Sequence, residues 1–168
     1  DLGQLNEMIE YLKEAVSIKP DLAEAHNRIG VGLKELGQLD AAIQSYQIAI
    51  EKKPNFSEAH NNLGNVFTEL GQLDLAVESY QKALEINPDY PALHNNLGNA
   101  YKALGQIDNA LKSYKNALSY NTDNADSHNN IGIVLSDLGQ LDDAVKSYER
   151  AIAISPDYAD AFNNLGNT

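Results

Sequence analysis

Apolar side chains recur along this chain at three- and four-residue spacing, and the pattern starts afresh every 34 residues. In the stretch 57–70, Ala59, Leu63, Val66, Phe67 and Leu70 fall on one side of a helix. Gly71-Gln72 then predicts a stop, because glycine accepts the left-handed backbone that caps a helix C-terminus. A second helix is expected from Asp74, whose carboxylate suits unpaired backbone N–H groups and the positive end of the helix dipole. It runs to Ile86, with Leu73, Ala76, Val77, Tyr80, Ala83 and Leu84 along one face. Asn87-Pro88-Asp89 ends it, since proline disfavours helical geometry in the residue before it. A loop this short forces the two helices antiparallel.

Independent markers carry the same period. Gly-Gln occurs at Gly3, Gly37, Gly71, Gly105 and Gly139, each 34 residues after the last. Pro20, Pro54, Pro88 and Pro156 keep that step, with Thr122 at the missing place, and so do His26, His60, His94 and His128. The chain therefore divides into a partial repeat at 1–22, full repeats at 23–56, 57–90, 91–124 and 125–158, and a second partial repeat at 159–168. Glycine recurs inside the first helix at Gly30, Gly64, Gly98 and Gly132, and alanine inside the second at Ala42, Ala76, Ala110 and Ala144. A mid-helix glycine costs about 1 kcal/mol against alanine. Close backbone packing on the facing alanine is the expected compensation.

Leu63, Gly64, Phe67, Ala76, Tyr80, Ala83 and Pro88 together resemble the tetratricopeptide repeat, although His60 stands where that family often has tryptophan. The resemblance spans the chain. It implies an all-α, right-handed superhelical solenoid of antiparallel helix pairs, with first helices lining the concave face. Three departures carry expectations. Met8 and Leu12 replace the alanine and tyrosine found elsewhere, so the leading helix is expected to pack differently or to lack its partner. Thr122 predicts a looser turn, and Gly32 a less rigid repeat at 23–56. Neither end resembles the polar cap a solenoid needs. Two readings follow: Phe162 and Leu165 dock on the leading helix of another copy, head to tail, or the chain is a fragment with frayed ends.

Composition narrows the partners. Acidic residues outnumber basic ones 24 to 12, which disfavours nucleic acid and anionic membrane surfaces. Apolar residues make up 43% of the chain, enough for a core. Cysteine is absent, which excludes disulfides and thiolate metal sites. No apolar run approaches the length of a membrane span, no signal-peptide pattern opens the sequence, and a cytoplasmic location is expected.

Candidate chemistry lies in the first helices and consists of amides. By family analogy the concave stripe takes repeat positions 2, 5, 6, 9, 12 and 13. Asn27, Asn61, Asn95, Asn129 and Asn163 hold the fifth position, and Asn62, Asn96, Asn130 and Asn164 the sixth, where Arg28 breaks the series. Asn65, Asn99 and Asn167 follow one turn later. Asparagine is a poor helix former, so a ladder of it along one face suggests a use. A side-chain amide both donates and accepts, which suits the main chain of an extended peptide of any sequence. The sixth-position set resembles the asparagine ladder in the tetratricopeptide half of O-linked N-acetylglucosamine transferases, which implies backbone binding there. The competing reading is that the amides bond between repeats or to water, and it fits the fifth-position set best.

Glu24, Glu35, Glu58, Glu69, Asp126, Asp137 and Asp160 outnumber Arg28, Lys34 and Lys102 around the stripe, so a neutral to basic partner segment is expected. A carboxylate clamp like that of chaperone-tail binders would need basic residues where this chain has asparagine, Ala92 or acids. The histidines, about 10 Å apart on neighbouring repeats, are too distant to share a metal and are expected to pack between repeats. Tyr46, Tyr80, Tyr114 and Tyr148 fall on the buried face of the second helices. No nucleophile elbow, phosphate loop, dinucleotide or metal-hydrolase motif is present. The sequence thus predicts a non-enzymatic scaffold, without metal or cofactor, that holds an extended polypeptide. Its alternatives are a repeat segment of a larger bacterial glycosyltransferase-like protein and a self-assembling rod.

Overall fold

The computed structural model describes residues 2–168; Asp1, the first residue of the leading partial repeat, lies outside them. The described residues form ten helices and no strand. Two compact units follow one another, the first ending at Pro88 and the second running from Asp89 to Thr168.

The first unit contains α1 (Leu2–Ile18), α2 (Ala23–Glu35), α3 (Leu39–Lys52), α4 (Ser57–Glu69) and α5 (Leu73–Ile86). The second contains α6 (Pro91–Ala103), α7 (Ile107–Tyr120), α8 (Ala125–Asp137), α9 (Leu141–Ile154) and α10 (Ala159–Gly166). Each full repeat carries one hairpin. Its turn glycine, at Gly37, Gly71, Gly105 or Gly139, has φ between 70° and 73°. The Gly71 N–H donates to the Thr68 carbonyl and the Gln72 N–H to Phe67, so the paired bonds of a Schellman cap absorb the last carbonyls of α4. Gly3 is different: it lies inside α1 and makes no turn.

Inside every hairpin a tyrosine lies against a glycine. Tyr46, Tyr80, Tyr114 and Tyr148 are at most 2% exposed. A methyl group on Gly64 would meet the Tyr80 ring at 2.6 Å, and Gly30, Gly98 and Gly132 face Tyr46, Tyr114 and Tyr148 in the same way. This corrects the expected glycine–alanine contact. The ring of the second helix, and not the alanine, occupies the space that glycine leaves. Each such pair is equidistant in sequence from its turn, as antiparallel helices require.

Two local expectations change. The second helices begin one residue before their aspartate, after Gln38, Gln72, Gln106 or Gln140, and none of these caps makes a side-chain bond. Asp74 therefore acts on the helix dipole alone. The turn at Thr122 is not looser: Asn121 ends α7 with the backbone geometry of Lys53 and Asn87. Its side chain accepts the Asp123 N–H at 3.1 Å, an Asx turn that does the work of the missing proline. Gly32 meets α1, where an added methyl would lie 2.9 Å from Ile9, itself 3% exposed. No helix among the described residues is long and apolar enough to cross a membrane.

Candidate functional site

The asparagine series separates into three classes by depth and partner. At the fifth position, Asn27, Asn95 and Asn129 are 2%, 7% and 4% exposed. Their amides are spent on neighbouring helices and hold repeats together; Asn61 is half-buried and Asn163 exposed. At the ninth position, Asn65 accepts the Tyr80 hydroxyl at 2.8 Å and Asn99 accepts that of Tyr114 at 2.8 Å. These two relieve the buried phenols, whose pKa values burial raises. Asn167 is exposed on the C-terminal side of α10.

The sixth-position residues Asn62, Asn96, Asn130 and Asn164 are half-buried. Asn62 Nδ2 donates to Asn27 Oδ1 at 3.1 Å, and Asn164 Nδ2 to Asn129 Oδ1 at 2.9 Å. Each bond reaches back one repeat and fixes the amide through its nitrogen. Asn27 Nδ2 in turn donates to Glu58 Oε1 at 2.9 Å.

Between α6 and α8 the arrangement changes. Asn95 Nδ2 donates to Asn124 Oδ1 at 3.1 Å, and Asn95 Oδ1 accepts from Ser127 Oγ at 2.8 Å. Asn124 also caps α8, accepting the Ser127 N–H at 2.8 Å. Asn95 thereby takes Asn124 and Ser127 in place of Asn130, which lines a cavity of about 300 Å³ together with Ala92, Asn95, Asn96, Asn99, Asn124, Asp126 and Tyr158. Tyr158 Oη donates to Asp126 Oδ1 at 2.8 Å. Burial first, and then the bond and charge of Asp126, push the Tyr158 phenol up to about 12.

Sequence reasoning passed over Asn124, Ser127 and Tyr158, and met Ala92 only as a position lacking the base of a carboxylate clamp. A signal existed: Ser127 stands where other repeats have Ala25, Ala59, Leu93 and Ala161, and Asn124 where they have Leu22, Phe56, Tyr90 and Tyr158. Two polar residues at positions otherwise kept apolar mark a changed junction.

The basic candidates scatter. Arg28 is exposed on α2 and lines a cavity of about 290 Å³ with Leu5, Met8, Val31, Glu35 and Glu58. Lys34 lies 3.5 Å from Glu69, and Lys102 is half-buried on α6. The histidine rings sit on the loop before their own repeat. His26, His60 and His128 place Nε2 at 3.0, 3.2 and 3.1 Å from the carbonyl oxygens of Pro20, Pro54 and Thr122. His94 stacks on Tyr120, with ring centroids 5.5 Å apart. Among the described residues no His, Cys, Asp and Glu side chains form a metal-holding group.

A family profile described as TPR repeat matches residues 33–71, 64–105, 98–139 and 134–168, and one described as tetratricopeptide repeat matches 1–22. No curated protein sequence matches significantly. Solved structures of similar fold include MamA, with a TM-score of 0.86 at 23% identity over 94% of this chain and 92% of that one. YrrB, described as a TPR protein with an unusual peptide-binding site, aligns with a TM-score of 0.80 at 24% identity over 95% and 82% of the two chains. TTC0263, a thermophilic TPR protein of Thermus thermophilus, aligns at 0.76 and 22% identity over 99% and 91%.

Proposed function

Because this chain belongs to the tetratricopeptide repeat family, we propose that it holds an extended polypeptide against the first-helix amides Asn62, Asn96, Asn130 and Asn164. Arrays of this family are protein-interaction scaffolds and generally carry no catalytic site. The observation that carries the reading is the half-buried setting of these four amides. A side chain fixed by its neighbour, as Asn62 and Asn164 are, loses little entropy when it bonds a guest, and a side-chain amide suits main chain of any sequence. YrrB, a fold relative described as having a peptide-binding site, is consistent with this. The acidic setting favours a neutral to basic guest.

Selection of binders from a random peptide library tests it, using the native chain and the triple variant Asn62→Ala, Asn96→Ala, Asn130→Ala. At about 1 kcal/mol per lost hydrogen bond, selected peptides should bind the variant about a hundred-fold more weakly, with helicity retained. Unchanged affinity would move the binding surface off these amides.

A further inference from the structure

The junction that holds the cavity beside α8 departs from the others at Asn124, Ser127 and Ala92, and two of these line the cavity. Asn124 replaces a large apolar side chain at the last repeat position, and Ala92 replaces the acid found at Glu24, Glu58, Asp126 and Asp160. The first change makes the wall polar, and the second leaves the room. What remains is about 300 Å³ of space with a carboxylate, several amides and a phenol around it, and no lysine or arginine in its lining. Asp126 spends Oδ1 on the Tyr158 hydroxyl, a bond between two residues of the lining that orients the carboxylate and leaves its second oxygen out of that bond. Asn130, one turn further along α8 on the same face and relieved of Asn95 by Ser127 and Asn124, lines the cavity as a further acceptor.

We propose that this cavity is a subsite for one arginine side chain of the bound polypeptide, its guanidinium paired with Asp126 and hydrogen-bonded to the Asn130 amide. Guanidinium supplies five donors in a planar fork, is less strongly hydrated than ammonium, and can lie on the face of a ring such as Tyr158. An acidic side chain would meet Asp126 at close range and is excluded. The assignment rests on the polypeptide-binding reading above and adds sequence preference to a groove that otherwise grips main chain.

The test uses the whole chain and four capped heptapeptides of alanine and serine, with arginine, lysine, glutamine or glutamate at the centre. Affinity is measured by calorimetry, and the asparagine side-chain amide signals are followed by NMR. The arginine peptide should bind about ten-fold tighter than the glutamine peptide, a gain of the size charge-assisted hydrogen bonds give, and should move the Asn130 signal. Asp126→Asn keeps an acceptor for Tyr158 and should bring the arginine peptide down to the affinity of the glutamine peptide. Ala92→Leu, which fills the cavity from an exposed helix position, should do the same. Equal binding of arginine and glutamine peptides, with the Asn62 and Asn164 signals still responding, overturns the subsite and leaves the groove reading intact. Equal binding of lysine and arginine overturns the guanidinium assignment. An arginine effect confined to Asn130, with no response at the other amides, keeps the subsite and removes the groove. Silence with all four peptides removes both.

Discussion

Asn27 and Asn95 occupy the same repeat position, are both buried, and do different work. In the first unit Asn27 reaches out to Glu58 and accepts Asn62, so its partners lie partly in water. In the second unit Asn95 bonds Asn124 and a fully buried Ser127, a closed polar cluster. The carboxylate of α8 is shorter by a methylene than Glu58, and Asp126 bonds Tyr158 instead. One residue type at one register thus seals a ladder rung in one unit and opens a cavity in the other. The neighbours decide which.

The comparison assumes that both junctions hang on the same apolar frame, and the frame carries the largest expected effect. Tyr80→Ala and Tyr114→Ala each remove a ring packed on a glycine. Each should cost about 3–5 kcal/mol by chemical denaturation followed by circular dichroism, because the two helix backbones cannot close the gap. A cost below about 1 kcal/mol in either unit would show that the hairpin repacks, and the two junctions would no longer share a frame.

A smaller effect separates the junctions themselves. Asn95→Ala strands the Ser127 hydroxyl in a site with no exposure, for about 1–3 kcal/mol. Asn27→Ala leaves an exposed Glu58 and a half-buried Asn62, both able to turn to water, and should cost less. Pairing Asn95→Ala with Ser127→Ala should recover most of the loss, since alanine holds the Ser127 position in three other repeats. Equal costs for the two single variants, with no recovery in the double, would erase the distinction drawn between the junctions.

The hairpin was readable from sequence because its determinants are local. The period, the Gly71 stop, the Pro88 stop and the buried tyrosines follow from backbone preference and helical spacing, and they lie where those rules put them. The partner of Gly64 was not readable. Apolar spacing identifies a shared face but does not say whether Ala76 or Tyr80 fills the gap, which depends on how the facing helix is rotated. The division of asparagines was legible only in part. Position five and position six differ by about 100° around a helix, which separates buried from half-buried. The exchange of partners at Asn95 depends on residues 29 and 32 places away, Asn124 and Ser127, and periodicity carries no information about such pairs.

The smallest effect is a difference in the direction of pH sensitivity. In the first unit burial lowers the His60 imidazole below its ordinary 6.5, against the opposing pull of the Pro54 carbonyl. The folded unit then binds this proton less well than the unfolded chain does. The contribution of His60 to stability is whole above about pH 6.5 and is lost as pH falls through the folded value. In the second unit the Tyr158 phenol stands at about 12 against an ordinary 10.0, so its contribution is whole below pH 10 and drains away between 10 and about 12. Acid should therefore loosen the Pro54–His60 loop first, and alkali the Asp126–Tyr158 contact beside the cavity. Amide exchange followed from acid to alkali should show each change in its own unit. The imidazole signal of His60 and the difference in tyrosinate absorbance between the native chain and Tyr158→Phe give the two midpoints. A Tyr158 midpoint at or below 10 would mean that its hydroxyl does not hold Asp126, and the orientation given to that carboxylate would fall with it.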